Sequence, residues 1–310
     1  MMQQQTIVIR GVPVTFDALE VNGQRFTISG KWLKTACLGA ERAEWVEDVD
    51  HPEAVLKILR SSPARIDMLR FWQRIPDREA KFRYYHEWRH IAAIPVSTYK
   101  HWWEKQVTQK VRNKVRKARK QGVVVSEVPF TDEFVRAVMV IFNQTPVRQG
   151  RLFYHYGKDF DTVKREMGQD MKESIFLAAH FQGELIGFIK LYFADRYAMI
   201  TMILDQMAQR DKAPMNGMID KAVEICAHRG IPFITYTLWR RGDLGKFQAS
   251  NGFEKMPVPE YFIPLTWKGR LALRLRLHRG LKPLVPEWAT EKCLALRARY
   301  YDIKHRQKSA

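Results

Sequence analysis

Apolar positions along this 310-residue chain alternate in some stretches and recur at helical spacing in others. The clearest succession lies in residues 186–253. The apolar run 198–204 (AMITMIL) is bounded by Asp195 and Arg196 before it and by polar residues from Asp205 on, and its length and β-branched content predict a buried strand. After a polar join, Pro214 stands where a first helical residue would stand. Met218, Ile219, Ala222, Val223, Cys226 and Ala227 then recur at helical spacing until Gly230. Residues 231–237 begin another strand. Strand, loop, helix, strand is a βαβ unit and implies a parallel pair. The first turn of such a helix leaves N–H groups free, so with Arg210 and Lys212 nearby it predicts an anion site.

The rest of the pattern is also mixed. Residues 7–14 and 19–28 are strand-like, and Asn22-Gly23 inside the second predicts a hairpin. A helix is predicted over 51–59 with Pro52 at its start, then strands over 71–76 and 88–94. Ser97 suits the N-cap of a single helix over 98–121, with Trp103, Val107, Val111, Val115 and Ala118 as its apolar stripe and Gly122 closing it. A strand from 123, an amphipathic helix over 134–142 and a polar, aromatic segment over 145–158 follow. Next come a helical pattern over 160–171, a hairpin turning at Gln182-Gly183, a helix over 244–251 and a strand near 261–265. Over 271–278 four leucines alternate with Ala272, Arg274, Arg276 and His278, which fits a strand as well as a helix. Pro283 and Pro286 break that stretch, and 288–301 reads as a helix. The class is α/β (α+β), divided as 1–122, 123–265 and a basic extension over 266–310.

Composition and charge sharpen this. A hydrophobic content of 46% and an aromatic content of 12% belong to a folded chain. The net charge of +19 is uneven: residues 100–120 hold nine Lys/Arg against one acid, and residues 266–310 twelve against three. Two basic segments on a near-neutral body point to a polyanion, either nucleic-acid phosphates or an anionic lipid surface, with a solvated basic face as the plain alternative. No apolar run reaches the ~20 residues that cross a bilayer, and the N-terminus lacks a secretory pattern. The expected location is therefore cytoplasmic, peripheral to the inner face of the membrane if 266–310 meets lipid. Cys37, Cys226 and Cys293 are far apart and read as reduced thiols. There is no C-x-x-C, H-E-x-x-H, G-x-S-x-G or Walker motif, so no metal ligand set is assigned.

The order of elements ending in Asn251, Gly252 and Phe253 resembles the GNAT superfamily of N-acyltransferases. Matching features are the Gln182-Gly183 turn before 185–190, the strand into Asp205, and the loop and helix over 209–229. Within it the chain looks most like the Fem-type group, which includes the aminoacyltransferases that build peptidoglycan cross-bridges. The Fem-like traits are the basic run 112–122 before a strand, Ala213-Pro214 opening the donor helix, and the segment 246–253 (KFQASNGF). The resemblance implies two GNAT-like lobes, the first degenerate. It implies transfer of an acyl or aminoacyl group from acyl-CoA or aminoacyl-tRNA to an amine acceptor. The chain departs from the pattern in having one glycine in the loop 209–217, and Gln248 where a Tyr or Lys is usual.

By that resemblance Leu204, Asp205, Gln206 and Met207 lie where the strand opens onto the donor, and Arg210, Lys212, Met215, Asn216 and Gly217 take its phosphate part, with Gln248 close by. Arg148, Gln149, Arg151 and Tyr154 offer hydrogen-bond donors to an acceptor. His155 is the candidate general base, as a group that ordinarily titrates near neutrality, with a packed histidine as the alternative. Tyr156 and Tyr236 are candidate proton donors. The other reading is a non-catalytic nucleic-acid-binding protein, with tRNA or another polyanion on the basic segments.

Overall fold

The computed structural model describes residues 2–9, 12–38, 49, 51–75, 77, 79–148 and 151–280, together with Lys292, Leu296, Arg297 and Tyr300. Most of the helix expected over 288–301 lies outside the described residues, as do Cys293 and Gln149. In chain order the first elements are β1 (Met2–Ile9), β2 (Val12–Val21), β3 (Gln24–Ser29), β4 (Thr35–Leu38), α1 (Pro52–Ser61), β5 (Met68–Trp72) and β6 (His86–Pro95). Then come α2 (Tyr99–His101), α3 (Gln109–Lys120), β7 (Val124–Val128), α4 (Asp132–Phe142), and the two-residue strands β8 (Val147–Arg148) and β9 (Arg151–Leu152). They are followed by α5 (Phe160–Met167), β10 (Ser174–Phe181), β11 (Glu184–Phe193), β12 (Ala198–Asp205) and α6 (Pro214–His228). The last are β13 (Phe233–Leu238), α7 (Gly242–Ser250), β14 (Glu254–Pro264) and α8 (Trp267–Arg274). The mixed α/β class is the one expected.

The chain forms two compact units, residues 1–89, 149–151 and 257–310 in the first and the remainder in the second. These are not the boundaries expected. The basic helix α3 belongs to the second unit because its stripe Val111, Val115 and Ala118 is buried in the same core as Met218, Ile219 and Val223 of α6.

In the first unit the strands run β1-β2-β3-β4-β5-β14. Asn22 and Gly23 both have positive φ (51° and 74°), the backbone that a tight two-residue hairpin requires. β4 and β5 pair in parallel, joined through α1. One face buries Phe26, Leu56, Leu59, Phe71 and Tyr261, and a smaller cluster joins Leu33, Met68 and Phe262 to Ala272 of α8. Glu260 is fully buried and ion-paired to Arg70 and Arg279.

In the second unit the order is β6-β13-β12-β11-β10-β7. The alternation of β10 sends Phe176 and Ala178 to a core shared with α4 and α5, and Leu177 and Ala179 to the core shared with α3 and α6. The parity slips in β12. Ala198, Ile200 and Ile203 share one core, because Lys190 pairs with Met202 but Leu191 with Ile200, leaving Thr201 as a bulge. On β11, Lys190 is buried, and its Nζ donates to the Met167 carbonyl at 2.8 Å and to that of Gln169 at the end of α5.

The single helix expected over 98–121 is broken. Thr98, not Ser97, caps α2, a π-turn spans Trp102–Gln106, and Thr108 caps α3 by accepting from Val111 N. Two caps within one helical pattern, with extended backbone at Val107, give the chain better local partners than a continuous helix would. The break also buries Trp102 completely and lets its Nε1 donate to the Asn251 carbonyl at 3.0 Å.

Candidate active site

β12 and β13 are registered in parallel only at Ala198 with Ile234 and Met199 with Thr235. Past the Thr201 bulge they part, while β12 stays paired to β11 as far as Asp205 opposite Gly187. Gln206 N donates to Ile186 O at 2.8 Å, so by antiparallel alternation Ile203 and Asp205 turn their N–H groups toward the parted side. A strand edge opened in this way offers unpaired donors to a carbonyl.

At the end of this edge the polar side chains converge. Asp205 is buried, and its Oδ1 accepts from Arg210 Nε at 3.1 Å. Burial pushes the Asp205 carboxyl above the usual range, against the pull of Arg210 and then Arg148. Arg148 lies over the Phe153 ring at 4.5 Å and donates through Nη2 to Ile141 O, while its buried Nε has no partner among the described residues. Gln144, which sequence reasoning passed over, accepts from Met207 N at 2.9 Å. Gln206 is anchored by its Nε2 on Leu185 O at 2.7 Å. Met207 and Arg210 remain exposed, and Leu204 packs with the α4 core.

His155 stacks on Phe142 with ring centroids 4.3 Å apart. It does not titrate near neutrality. Burial first, then Lys158 and Arg148 against the opposing pull of Glu166, push it down to about 4, so the imidazole is neutral at pH 7. Its neighbour Tyr154 donates to Glu166 at 2.9 Å and has Lys158 Nζ 3.3 Å from its ring centre, so this side chain is tied into the fold. Tyr156 is exposed, and Tyr236 is packed near Phe253 with its hydroxyl pushed up by burial. Gln149 and the side chain of Arg151 lie outside the described residues.

The anion site expected at the head of α6 takes a different form. Ala213, Pro214, Asn216 and Gly217 are buried, Met215 is half-buried, and the Lys212 ammonium lies 4.8 Å from the Phe181 ring centre. The loop has no glycine before the helix, so Met207–Lys212 coils as a 3-10 turn and Ala213 takes the left-handed conformation (φ 56°). Asn216 Nδ2 donates to Asn251 Oδ1 and Gln248 donates to the carbonyls of Tyr236 and Leu238, so both amides hold the fold together. A concavity of about 190 Å³ does reach this helix, on the α3 side, lined by Arg119, Gly217, Asp220 and Lys221 among others. Lys117 Nζ of α3 bonds Asp211 O at 3.1 Å, which sets the exposed basic face of α3 beside the loop.

The parted strand pair, the loop and helix after it, and the two-faced sheet make up a fold similar to that of FemX. No family profile matches the chain, and no curated protein matches it in sequence. Solved structures match it in fold. FemX is 12% identical with a TM-score of 0.53, covering 88% of this chain and 90% of its own. L-PGS from Bacillus licheniformis is 12% identical with a TM-score of 0.54, covering 79% and 83%. The C-terminal domain of a candidate lysylphosphatidylglycerol synthetase from Agrobacterium fabrum is 12% identical with a TM-score of 0.53, covering 84% and 86%. At such identity the likeness concerns the fold.

Proposed function

We propose that this protein is an N-acyltransferase that moves an aminoacyl group from tRNA to an amine. The observation that carries the reading is the parted β12 edge ending at buried Asp205, which is ion-paired to Arg210 and feels the charge of Arg148. An activated carbonyl lodged on that edge meets the N–H groups of Ile203 and Asp205, which favour the oxygen as it gains charge. Once the acceptor ammonium has given one proton to Asp205, the amine attacks, a C–N bond forms, the ester C–O bond breaks, and a second proton passes from the nitrogen to the departing ribose oxygen. Asp205, whose affinity for a proton is raised, holds the incoming ammonium and accepts its proton. His155, already neutral at pH 7, plays no part as the base. Arg210 keeps Asp205 oriented through Nε and, half in solvent, turns the rest of its guanidinium toward donor phosphate.

Two features favour tRNA over acyl-CoA as donor. Ala213, Pro214, Asn216 and Gly217 at the head of α6 are buried, which leaves little backbone there for a pyrophosphate to approach. Lys110, Lys114, Arg116, Lys117 and Lys120 are exposed on α3 next to that loop, a surface suited to several phosphates in a row. One similar structure bears the name lysylphosphatidylglycerol synthetase, and a lysyl group is an aminoacyl group. The second reading, acyl-CoA as donor, draws on the absence of a side-chain cap at the start of α6.

The test is donor consumption. Purified full-length protein is incubated with mixed aminoacyl-tRNA, or with acyl-CoA thioesters, and with a panel of primary amines. Amine-dependent loss of aminoacyl ester is expected. Binding of charged and uncharged tRNA alike, with neither donor consumed, overturns the proposal in favour of a nucleic-acid-binding protein.

A further inference from the structure

α8 in the first unit turns one face inward and another out. Gly269 and Ala272 are buried, and Gly269 lies so close to the Asp67 carbonyl that a Cβ there would come within 2.1 Å of its oxygen. Thr266 caps the helix by accepting from Gly269 N, and its hydroxyl donates to Asp67 at 2.7 Å. The helix is thus pinned along the unit. Its outer face carries Trp267, Leu271 and Leu275, spaced by four residues and 69%, 44% and 54% exposed. Burial explains none of them.

Charge surrounds this apolar column. Arg270, Arg274 and Arg276 are exposed beside it and have no ion pair among the described residues. Lys268 Nζ lies 3.8 Å from Asp67 and 5.4 Å from the ring centre of Trp32, which is itself 54% exposed. A trough of about 740 Å³ is lined by Trp267, Arg270, Leu271 and Arg274 together with Tyr85 and Pro264. Apolar side chains that end in open solvent, ringed by guanidinium groups, suit the boundary between acyl chains and anionic headgroups.

We propose that this outer face of α8 is a docking surface for a bilayer rich in anionic phospholipid. Other occupants fit less well. The last thirty residues of the chain hold seven Lys/Arg and three acids, so they offer no charge complement to a basic face. A second copy of the chain, at +19, meets the same repulsion. RNA would satisfy the arginines and could stack on Trp267, but it leaves Leu271 and Leu275 in water, whereas a bilayer takes all of them. Among the described residues no helix is long and apolar enough to cross a membrane, so the contact is with the surface. The proposal does not rest on the transferase reading and stands or falls without it.

The test is co-sedimentation of the full chain with vesicles of phosphatidylglycerol mixed into phosphatidylcholine, against phosphatidylcholine alone. Binding to the first, weakened by salt, and none to the second is expected. A W267S/L271S/L275S variant and an R270E/R274E variant should each bind about tenfold less or weaker still, with wild-type melting curves. Trp267→Phe, a mild change, gives a second reading: fluorescence quenching by brominated phosphatidylglycerol should drop clearly relative to wild type. Wild-type binding by both multiple variants, or unchanged quenching in Trp267→Phe, overturns the proposal and gives the contact to other basic segments. Loss of bulk tRNA binding in the variants with vesicle binding intact also overturns it, and makes the face a nucleic-acid surface.

Discussion

Asn216 in the first turn of α6 donates through Nδ2 to Oδ1 of Asn251 across 2.9 Å of buried interior. Asn251 also donates to Phe247 O at 2.8 Å, and its own carbonyl accepts from Trp102 Nε1. The Asn-Gly-Phe sequence after α7 therefore fixes where α6 begins. Gly252 adds to this, since a Cβ there would fall 2.9 Å from Trp102 Nε1.

Replacing either asparagine by leucine leaves the partner amide buried and unsatisfied, at a cost of about 1–3 kcal/mol. The double replacement removes both polar groups and should cost less than the sum of the singles. Urea unfolding of the four proteins measures this coupling. Strict additivity would mean that the bond contributes nothing.

A second prediction concerns Gly187, which pairs with Asp205. A Cβ there would stand 3.0 Å from Met218 Cε, 3.1 Å from Leu204 O and 3.5 Å from Pro214 Cβ. The missing side chain lets the head of α6 seat against the strand that ends at the site. Gly187→Ala can be met by a shift of the Met218 methyl and should be mild. Gly187→Val cannot, and is expected to lose about 1–3 kcal/mol and to reduce transfer. Equal stability of the two variants in thermal melts would count against this packing account.

Much of this fold could be read from the chain, and the failures have physical causes. The hairpin turns at Asn22-Gly23 and Gln182-Gly183 were legible because a positive φ at both residues selects such pairs. The strand 198–204 and the helix from Pro214 were legible from length and spacing. The opening between β12 and β13 was implied only by resemblance, because the Thr201 bulge falls in a run too uniformly apolar to show a slip in alternation. The site was read less well. Asn216 and Gln248 are the residue types that hydrogen-bond a ligand, yet burial turned both amides onto the protein's own groups. Gln144 and Gly187 carry no motif, and only the tertiary arrangement brings the first to Met207 and the second to Asp205.

The third prediction follows from His155. Its folded-state value, about 4, lies below the ordinary 6.5, so the stability it confers is full above the unfolded value and is lost as pH falls toward the folded one. Between pH 6.5 and pH 4 the wild type should lose about 3 kcal/mol more than His155→Phe, which keeps the ring contact with Phe142 and cannot titrate. Denaturant midpoints across that range test it, and parallel curves would place the imidazole in solvent. At neutral pH His155→Phe should keep transfer within about tenfold of wild type, since a general base would contribute on the order of a hundredfold or more.

Asp205 carries the opposite sign. Its folded-state value is raised above the ordinary 3.8, chiefly by burial, so its contribution to stability is present below the unfolded value and lost as pH rises through the folded one. The ionised carboxylate is thus a liability to the fold at any pH where it forms. Asp205→Asn keeps the shape and removes the charge, and Arg210, half exposed, can turn to water at little cost. The variant should be at least as stable as the wild type at pH 7, and the difference should vanish in acid. Transfer, which needs the carboxylate, should fall about a hundredfold or more, and the acidic limb of the wild-type rate profile should flatten. Stability gained where activity is lost distinguishes a site residue from a structural one. A D205N protein that unfolds more readily at neutral pH, or that transfers normally, would remove Asp205 from the chemistry.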